Sequence, residues 1–324
     1  MEKHSGLLAF FVVGSLFILL VMAGPAISGA EFPTRPVILY STFVGVTELS
    51  ARLLADSASK YLGQPIIVEP KTGGAGFLAL NLVKSSKPDG YTLGILSGAQ
   101  SSVTHMQGAP FNILTDLTPI VQYIDYRLAL LVRGDAPYKN LKEFLDYGRK
   151  NPGKVTYSTG GWGAVSHIFA AIVFHKAGVT AKCVPYDGAP PAITSLLGGH
   201  VESSSIAFWE PYVKEGKLKA LVVFLDERSP DFPDVPSMKE LGYGSPPGPY
   251  VGIAGPAGIP KEVLAKLENA FTKGIKDPKF IEGMKKIYME INYRNSTDFK
   301  KHVEQCHYDL KKVVTELELV KKKQ

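Results

Sequence analysis

Two glycine-rich segments are where this 324-residue sequence could do chemistry. Gly73-Gly74-Ala75-Gly76 stands between a strand pattern and a helix pattern, where the backbone N–H groups of a helix start attract anions. A dinucleotide site would need G-x-G-x-x-G, and Phe77 stands where the Walker pattern needs Lys. An anion nest and a plain tight turn both stay open. The second segment, Ser158-Thr159-Gly160-Gly161-Trp162-Gly163-Ala164-Val165-Ser166-His167, again joins a strand to a helix. A hydrolase would use Ser158 or Ser166 with His167. Adjacent residues on one helix point about 100° apart, so Ser166 and His167 cannot form a nucleophile–base pair. No G-x-S-x-G elbow occurs, and Ser166 can simply cap or pack the first turn. Among the other histidines only His302 and His307 are close in sequence, and five residues apart on a helix they share a face poorly for a metal. Cys183 and Cys306 have no C-x-x-C spacing. They are expected as free thiols, with a disulfide as the lesser alternative.

The elements that must position these loops alternate strand and helix. Strand patterns fall at 36–41, 65–69 and 91–96, with helical patterns at 46–62 and 77–86 between them. In the first helix Leu49, Leu53, Leu54 and Tyr61 lie near helical spacing and suggest its buried face. Gly63 stops that helix, and Lys87-Pro88-Asp89-Gly90 reads as a turn. A second set has strands at 128–132, 155–158, 182–185, 219–224 and 251–254, with helices at 140–150, 164–176 and 189–197. Three helices close the chain, at 261–276, 279–287 and 297–318. Strands separated by helices of this length predict βαβ units and parallel sheets. The length suggests two domains.

Composition fits an exported globular protein. Hydrophobic residues are 45% and charged residues 20%, enough for a core in each half. The net charge is +6, but acidic and basic residues are interleaved and the one dense run is Lys321-Lys322-Lys323. That run reads as a solvated tail, and no nucleic-acid partner is expected. Lys3 and His4 precede an apolar run over 7–22, Gly24-Pro25 breaks it, and Ser28-Gly29-Ala30 supplies small residues. This is a secretory leader pattern, expected to be cleaved after Ala30, with an uncleaved anchor as the alternative. Glu2 and Lys3 cancel, so the mature chain keeps its charge of +6. No Cys follows the run to take a lipid. The expected location is periplasmic or otherwise extracytoplasmic.

An ordered set of short motifs covers residues 32–320. It runs from Phe32-Pro33-x-Arg35-Pro36 and Ala51-Arg52-Leu53-Leu54-Ala55 to Leu62-Gly63-Gln64-Pro65-Ile66-Ile67-Val68-Glu69. Lys87-Pro88-Asp89-Gly90-Tyr91-Thr92-Leu93 and Asp116-Leu117-Thr118-Pro119-Ile120 follow. Later pieces are Ser158-Thr159-Gly160 through Ser166-His167, Val184-Pro185-Tyr186-x-Gly188 and Leu196-Leu197-Gly198-Gly199. Pro233-Asp234-Val235-Pro236-Ser237 and Gly255-Pro256-Ala257-Gly258 complete it. Together they resemble the substrate-binding proteins of tripartite tricarboxylate transporters, the Bug-type solute receptors.

The resemblance implies an α/β protein of the type II periplasmic-binding-protein fold. Two βαβ lobes would close on a ligand cleft, with residues 31–130 and 250–324 in lobe 1 and 131–249 in lobe 2. It implies a monomeric, non-enzymatic receptor that captures a small organic acid for membrane transporter subunits. No catalytic residue, cofactor or metal is implied. A ligand-sensing subunit for a membrane receptor is the alternative, and a secreted α/β hydrolase a weaker one. The ligand loops carried over are 42–48, 73–77, 158–167 and 186–190. Candidate ligand-binding residues in the first lobe are Phe43, Val44, Gly45, Thr47 and Glu48, then Gly74, Ala75, Gly76 and Phe77, with Ser97 after the third strand. In the second they are Ser158, Thr159, Trp162, Ser166, His167 and Tyr186. The family's first loop usually reads Pro-Pro-Gly-Gly with Asp three residues later, where this chain has Thr42-Phe43-Val44-Gly45 and Glu48. Phe77 replaces a usual Asn, and Ser195 an Asp. With Phe43, Phe77 and Trp162 expected around one cleft, an aromatic carboxylate is favoured over a citrate-like tricarboxylate.

Overall fold

The helix ends are written in local chemistry. Asn140 and Asn295 accept bonds from the N–H groups of Glu143 and Asp298 at the starts of two helices. Asp277 does the same for Lys279 ahead of Pro278, and each cap satisfies a donor that the helix cannot. A computed structural model describes residues 31–245 and 247–319. The expected leader over 1–30 and the lysine run at 321–323 lie outside the described residues. From Arg35 onward the described residues form one compact unit.

In the first lobe, β1 (Val37–Ser41), α1 (Val46–Leu62), β2 (Ile66–Pro70), α2 (Phe77–Lys84), β3 (Thr92–Ser97) and α3 (Gly98–Gln107) lead to β4 (Leu117–Asp125). The chain then crosses into β5 (Leu128–Arg133), α4 (Leu141–Lys150), β6 (Val155–Thr159), α5 (Val165–Lys176) and β7 (Ala181–Pro185). α6 (Ala189–Leu197), β8 (Ser203–Ala207), α7 (Glu210–Lys214) and β9 (Leu218–Val223) follow. It returns through β10 (Tyr250–Pro256), α8 (Lys261–Ile275), α9 (Pro278–Lys286), β11 (Glu290–Arg294) and α10 (Ser296–Glu316). The first sheet has the order β11-β4-β10-β3-β1-β2 and the second β7-β6-β8-β5-β9.

The sheets are mixed and not the purely parallel ones the strand–helix alternation predicts. β1, β2 and β3 are parallel, but β10 returns antiparallel to β3 and β4 antiparallel to β10. In the second sheet β6, β7 and β8 are parallel, and β5 runs against β8 and β9. The antiparallel pairings involve the strands flanking the two lobe crossings, β4, β5, β9 and β10, and the edge strand β11. These crossings run side by side: the Tyr126 N–H donates to the Pro249 carbonyl at 2.7 Å. α10 spans both lobes. Phe299, Val303 and Cys306 pack in the first core and Leu310 and Val314 in the second.

The buried face of α1 also differs from the expected one. Leu54 is buried, but Leu49 and Tyr61 are exposed, and the packed residues are Ala51, Ala55 and Ala58. The reason is close helix contact: a Cβ on Gly274 of α8 would lie 2.9 Å from Ala58. Small residues on both helices permit an approach that leucines would block. Cys183 and Cys306 are free thiols.

Candidate functional site

Two adjoining compartments open between the lobes. The larger, about 440 Å³, is walled by Thr42, Phe43, Val44, residues 72–76 and Ala99 from the first lobe, and by Gly160, Gly161, Trp162, Ala164 and residues 186–188 from the second. The smaller, about 110 Å³, shares Phe43, Val44, Ala99, Gly160, Ala164 and Gly188 with it and adds Val46, Thr47, Tyr126, Leu128, Val165, Ser166, Ala189, Pro190, Ile206 and Ala207.

Local structure explains the first-lobe wall. The Ser41 hydroxyl donates to the Phe43 carbonyl at 2.7 Å and turns the chain after β1. Gly45, at φ 86°, lies in the left-handed region that glycine enters without strain, and so lets α1 start with Val46 and Thr47 at the cavity. Thr47 Oγ1 and the Tyr126 hydroxyl are hydrogen-bonded at 2.8 Å, and burial pushes the Tyr126 phenol up to about 12. Residues 73–76 wind through positive φ, including Ala75 at 54°. Gln100 holds this loop by donating from Nε2 to the Ala75 carbonyl at 2.6 Å. Its Oε1 accepts from the Ser97 N–H at 2.8 Å and hydroxyl at 3.0 Å, so one side chain ties the start of α3 to the glycine loop. Thr42 Oγ1 is buried on this wall with no protein partner.

On the second-lobe wall, the Thr159 hydroxyl donates to the Gly161 carbonyl at 3.1 Å and shapes the turn before α5. Trp162 is 39% exposed and lies over His167, ring centroids 4.5 Å apart. His167 is buried, accepts the Gly163 N–H at Nδ1 (3.2 Å), and burial pushes it down to about 4. It is therefore a neutral prop for the loop. The Tyr186 hydroxyl donates to Ser195 Oγ at 2.7 Å.

Of the sequence candidates, Phe43, Val44, Thr47, Gly74, Ala75, Gly76, Trp162, Ser166 and Tyr186 come together on the walls. The others sit off them. Phe77 is buried in the first core, edge-to-face with Phe111 at 5.5 Å. It fills the space under the glycine loop and does not face the cleft as expected. Glu48 pairs with Arg52 at 2.6 Å along α1. Ser158 is buried and donates to Ser204 Oγ at 2.8 Å. Gly45, Ser97, Thr159 and His167 act on the loops from behind. Sequence reasoning missed Thr72, Ala99, Tyr126, Leu128, Ile206 and Ala207. Tyr126 and Leu128 flank the lobe crossing, and Ile206 and Ala207 belong to β8, a strand the sequence pattern did not show.

Four helix starts line the cavity: Val46 and Thr47 of α1, Ala99 of α3, Val165 and Ser166 of α5, and Ala189 and Pro190 of α6. The starts of α1, α3 and α5 present unsatisfied N–H groups at the positive end of the helix dipole, whereas α6 offers the Ala189 N–H alone there, because Pro190 and Pro191 have none. The described walls hold no Lys, Arg or His side chain. No group of three or more His, Cys, Asp and Glu that could hold a metal occurs among the described residues.

Two mixed α/β lobes joined by paired crossings, with an anion-favouring cavity between them, define a two-lobed solute-binding protein. The chain belongs to the tripartite tricarboxylate transporter receptor family, TctC, whose model matches residues 50–319. It is 35% identical over 303 residues to a UPF0065 protein of the gbd 5′ region from Cupriavidus necator, covering 92% of this chain and 93% of the relative. It is 27% identical over 280 residues to BugT from Bordetella pertussis, covering 84% and 85%. Among solved structures, the periplasmic binding protein BugD superposes with a TM-score of 0.81 at 31% identity, covering 90% of this chain and 100% of that one. MatC from Rhodopseudomonas palustris with bound malate gives 0.79 at 28%, covering 87% and 100%.

Proposed function

We propose that this protein captures a small carboxylate between its lobes, outside the cytoplasm, and hands it to a tripartite tricarboxylate-type membrane transporter without turning it over. The observation that carries the reading is the convergence of four helix starts, three of them with free N–H groups, on a cavity whose described walls hold no basic side chain. Such a site neutralises a carboxylate with backbone N–H groups and the hydroxyls of Thr47, Tyr126 and Ser166. The malate bound to the structurally similar MatC supports it. The lobes are taken as 31–130 with 250–324, and 131–249, the sheets exchanging around Tyr126 and Arg127, with a leader over 1–30. The receptor works as a monomer. Phe43, Val44, Val165 and Ile206 on the walls give the ligand an apolar body as well as its charged head.

The test is a thermal-shift screen of carboxylates followed by calorimetry and product analysis. A true ligand at a hundredfold excess over its Kd stabilises the native state by about 2.7 kcal/mol. Chemical conversion of a hit, or a hit set of cations in place of anions, overturns the reading.

A further inference from the structure

Among the described residues the cavity carries one charged side chain, and it is acidic. Asp187 stands in the turn between β7 and α6, exposed, on the wall of the larger compartment. None of the described lysines and arginines reaches the walls. Among the described residues the Asp187 carboxylate makes no hydrogen bond or ion pair, and Trp162, Tyr186 and Phe43 share its compartment. An unpaired carboxylate complements a cation by charge, and aromatic rings lining the same compartment do so by their quadrupole. The helix N-termini gathered around the smaller compartment ask for the opposite sign.

We infer that the ligand is zwitterionic, a carboxylate whose other end bears an ammonium group lodged between Asp187 and the Trp162 and Tyr186 rings. This rests on the carboxylate reading above and specifies its second charge. A dicarboxylate reaching the same wall would place its second negative charge beside Asp187 with no basic side chain to neutralise it. A neutral apolar end would leave Asp187 unused.

Three probes of matched length separate these cases by calorimetry: 4-(trimethylammonio)butanoate, its carbon isostere 5,5-dimethylhexanoate, and adipate. The zwitterion should bind about tenfold more tightly than the isostere, and this ratio should shrink as salt rises, because Asp187 is exposed. In Asp187→Asn, a surface change that leaves the core untouched, the ratio should fall to near one while the isostere's affinity holds. The inference is overturned if the isostere or adipate equals the zwitterion on the wild type. It is equally overturned if Asp187→Asn preserves the ratio, or if none of the three binds. Binding of adipate or the isostere alone leaves the carboxylate reading standing, whereas failure of every carboxylate in the wider screen removes that reading as well.

Discussion

Replacing Glu210 by Gln should change how stability depends on pH. Glu210 opens α7 with its carboxylate fully buried and neither oxygen in a hydrogen bond. Among the described residues Arg127, in the crossing between lobes, is the cation paired with it, at 4.0 Å. That guanidinium is shared with Asp231 at 2.9 Å and with Glu290 of β11 at 3.5 Å. Burial pushes the Glu210 carboxyl up to about 7, while nearby backbone N–H groups and Arg127 pull it down by less. The unfolded chain releases this proton near 4.5. Between those values the native state holds a proton that the unfolded state has lost, so stability falls as pH rises. The contribution is fully present below 4.5 and gone above about 7. Moving the carboxyl from 4.5 to about 7 is worth roughly 3 kcal/mol. Gln cannot ionise, so the stability of Glu210→Gln minus that of wild type should climb by about 3 kcal/mol from pH 4.5 to 8. Urea unfolding at half-unit pH steps measures it. The buried histidines titrate in the same window but are common to both proteins and cancel. A difference that stays flat, or a wild type that gains on the variant above pH 7, refutes the reasoning. Arg127 would then be holding Glu210 ionised.

His167 should act with the opposite sign. Its native value near 4 lies below the ordinary 6.5, so its contribution is present above 6.5 and lost as pH falls toward 4. His167→Leu should remove about 2 kcal/mol of that pH dependence between pH 4.5 and 6.5, read by urea unfolding at the two values. Gly98→Ala should destabilise severely, because the added Cβ would lie 1.8 Å from the Gly248 carbonyl oxygen where α3 meets the return crossing. A loss under 1 kcal/mol in the same assay would mean that the crossing yields easily.

Much of the fold was legible because its helices and most strands have ordinary periodicity and punctuation. The range of α1 is as expected, since Gly63 in the left-handed region marks its end. Elements that break those rules were hidden. β4 carries Pro119 inside a central strand, tolerated where its pairing with β10 shifts register between Ile253 and Ala254. β8 begins with three serines, a poor strand signal. They are fully buried because their hydroxyls bond to neighbours, Ser203 to the Thr156 carbonyl and Ser205 to the Ser166 carbonyl. α3, GAQSSVTHMQ, lacks an apolar stripe and depends on its Ser97–Gln100 capping box.

The site was legible as loops and not as side chains, and the reason is physical. A cavity that receives an anion on backbone N–H groups leaves little trace in residue type, because every residue but proline owns one. What the sequence does record is the hardware that aims those groups: Gly45 freeing the start of α1, Thr159 bracing the turn at Gly161, Gln100 clamping Ala75. Phe77 shows how side-chain reasoning goes astray here. Its position after Gly76 suggested the cleft, yet the helical turn begun at Phe77 points the ring into the core against Phe111. Trp162 reaches the cavity because Gly161 and Gly163 flank it at positive φ and His167 supports its ring. The aromatic walls are therefore Phe43, Trp162 and Tyr186, with Asp187 beside them. The expected trio of Phe43, Phe77 and Trp162 thus gives way to a wall that also bears a negative charge.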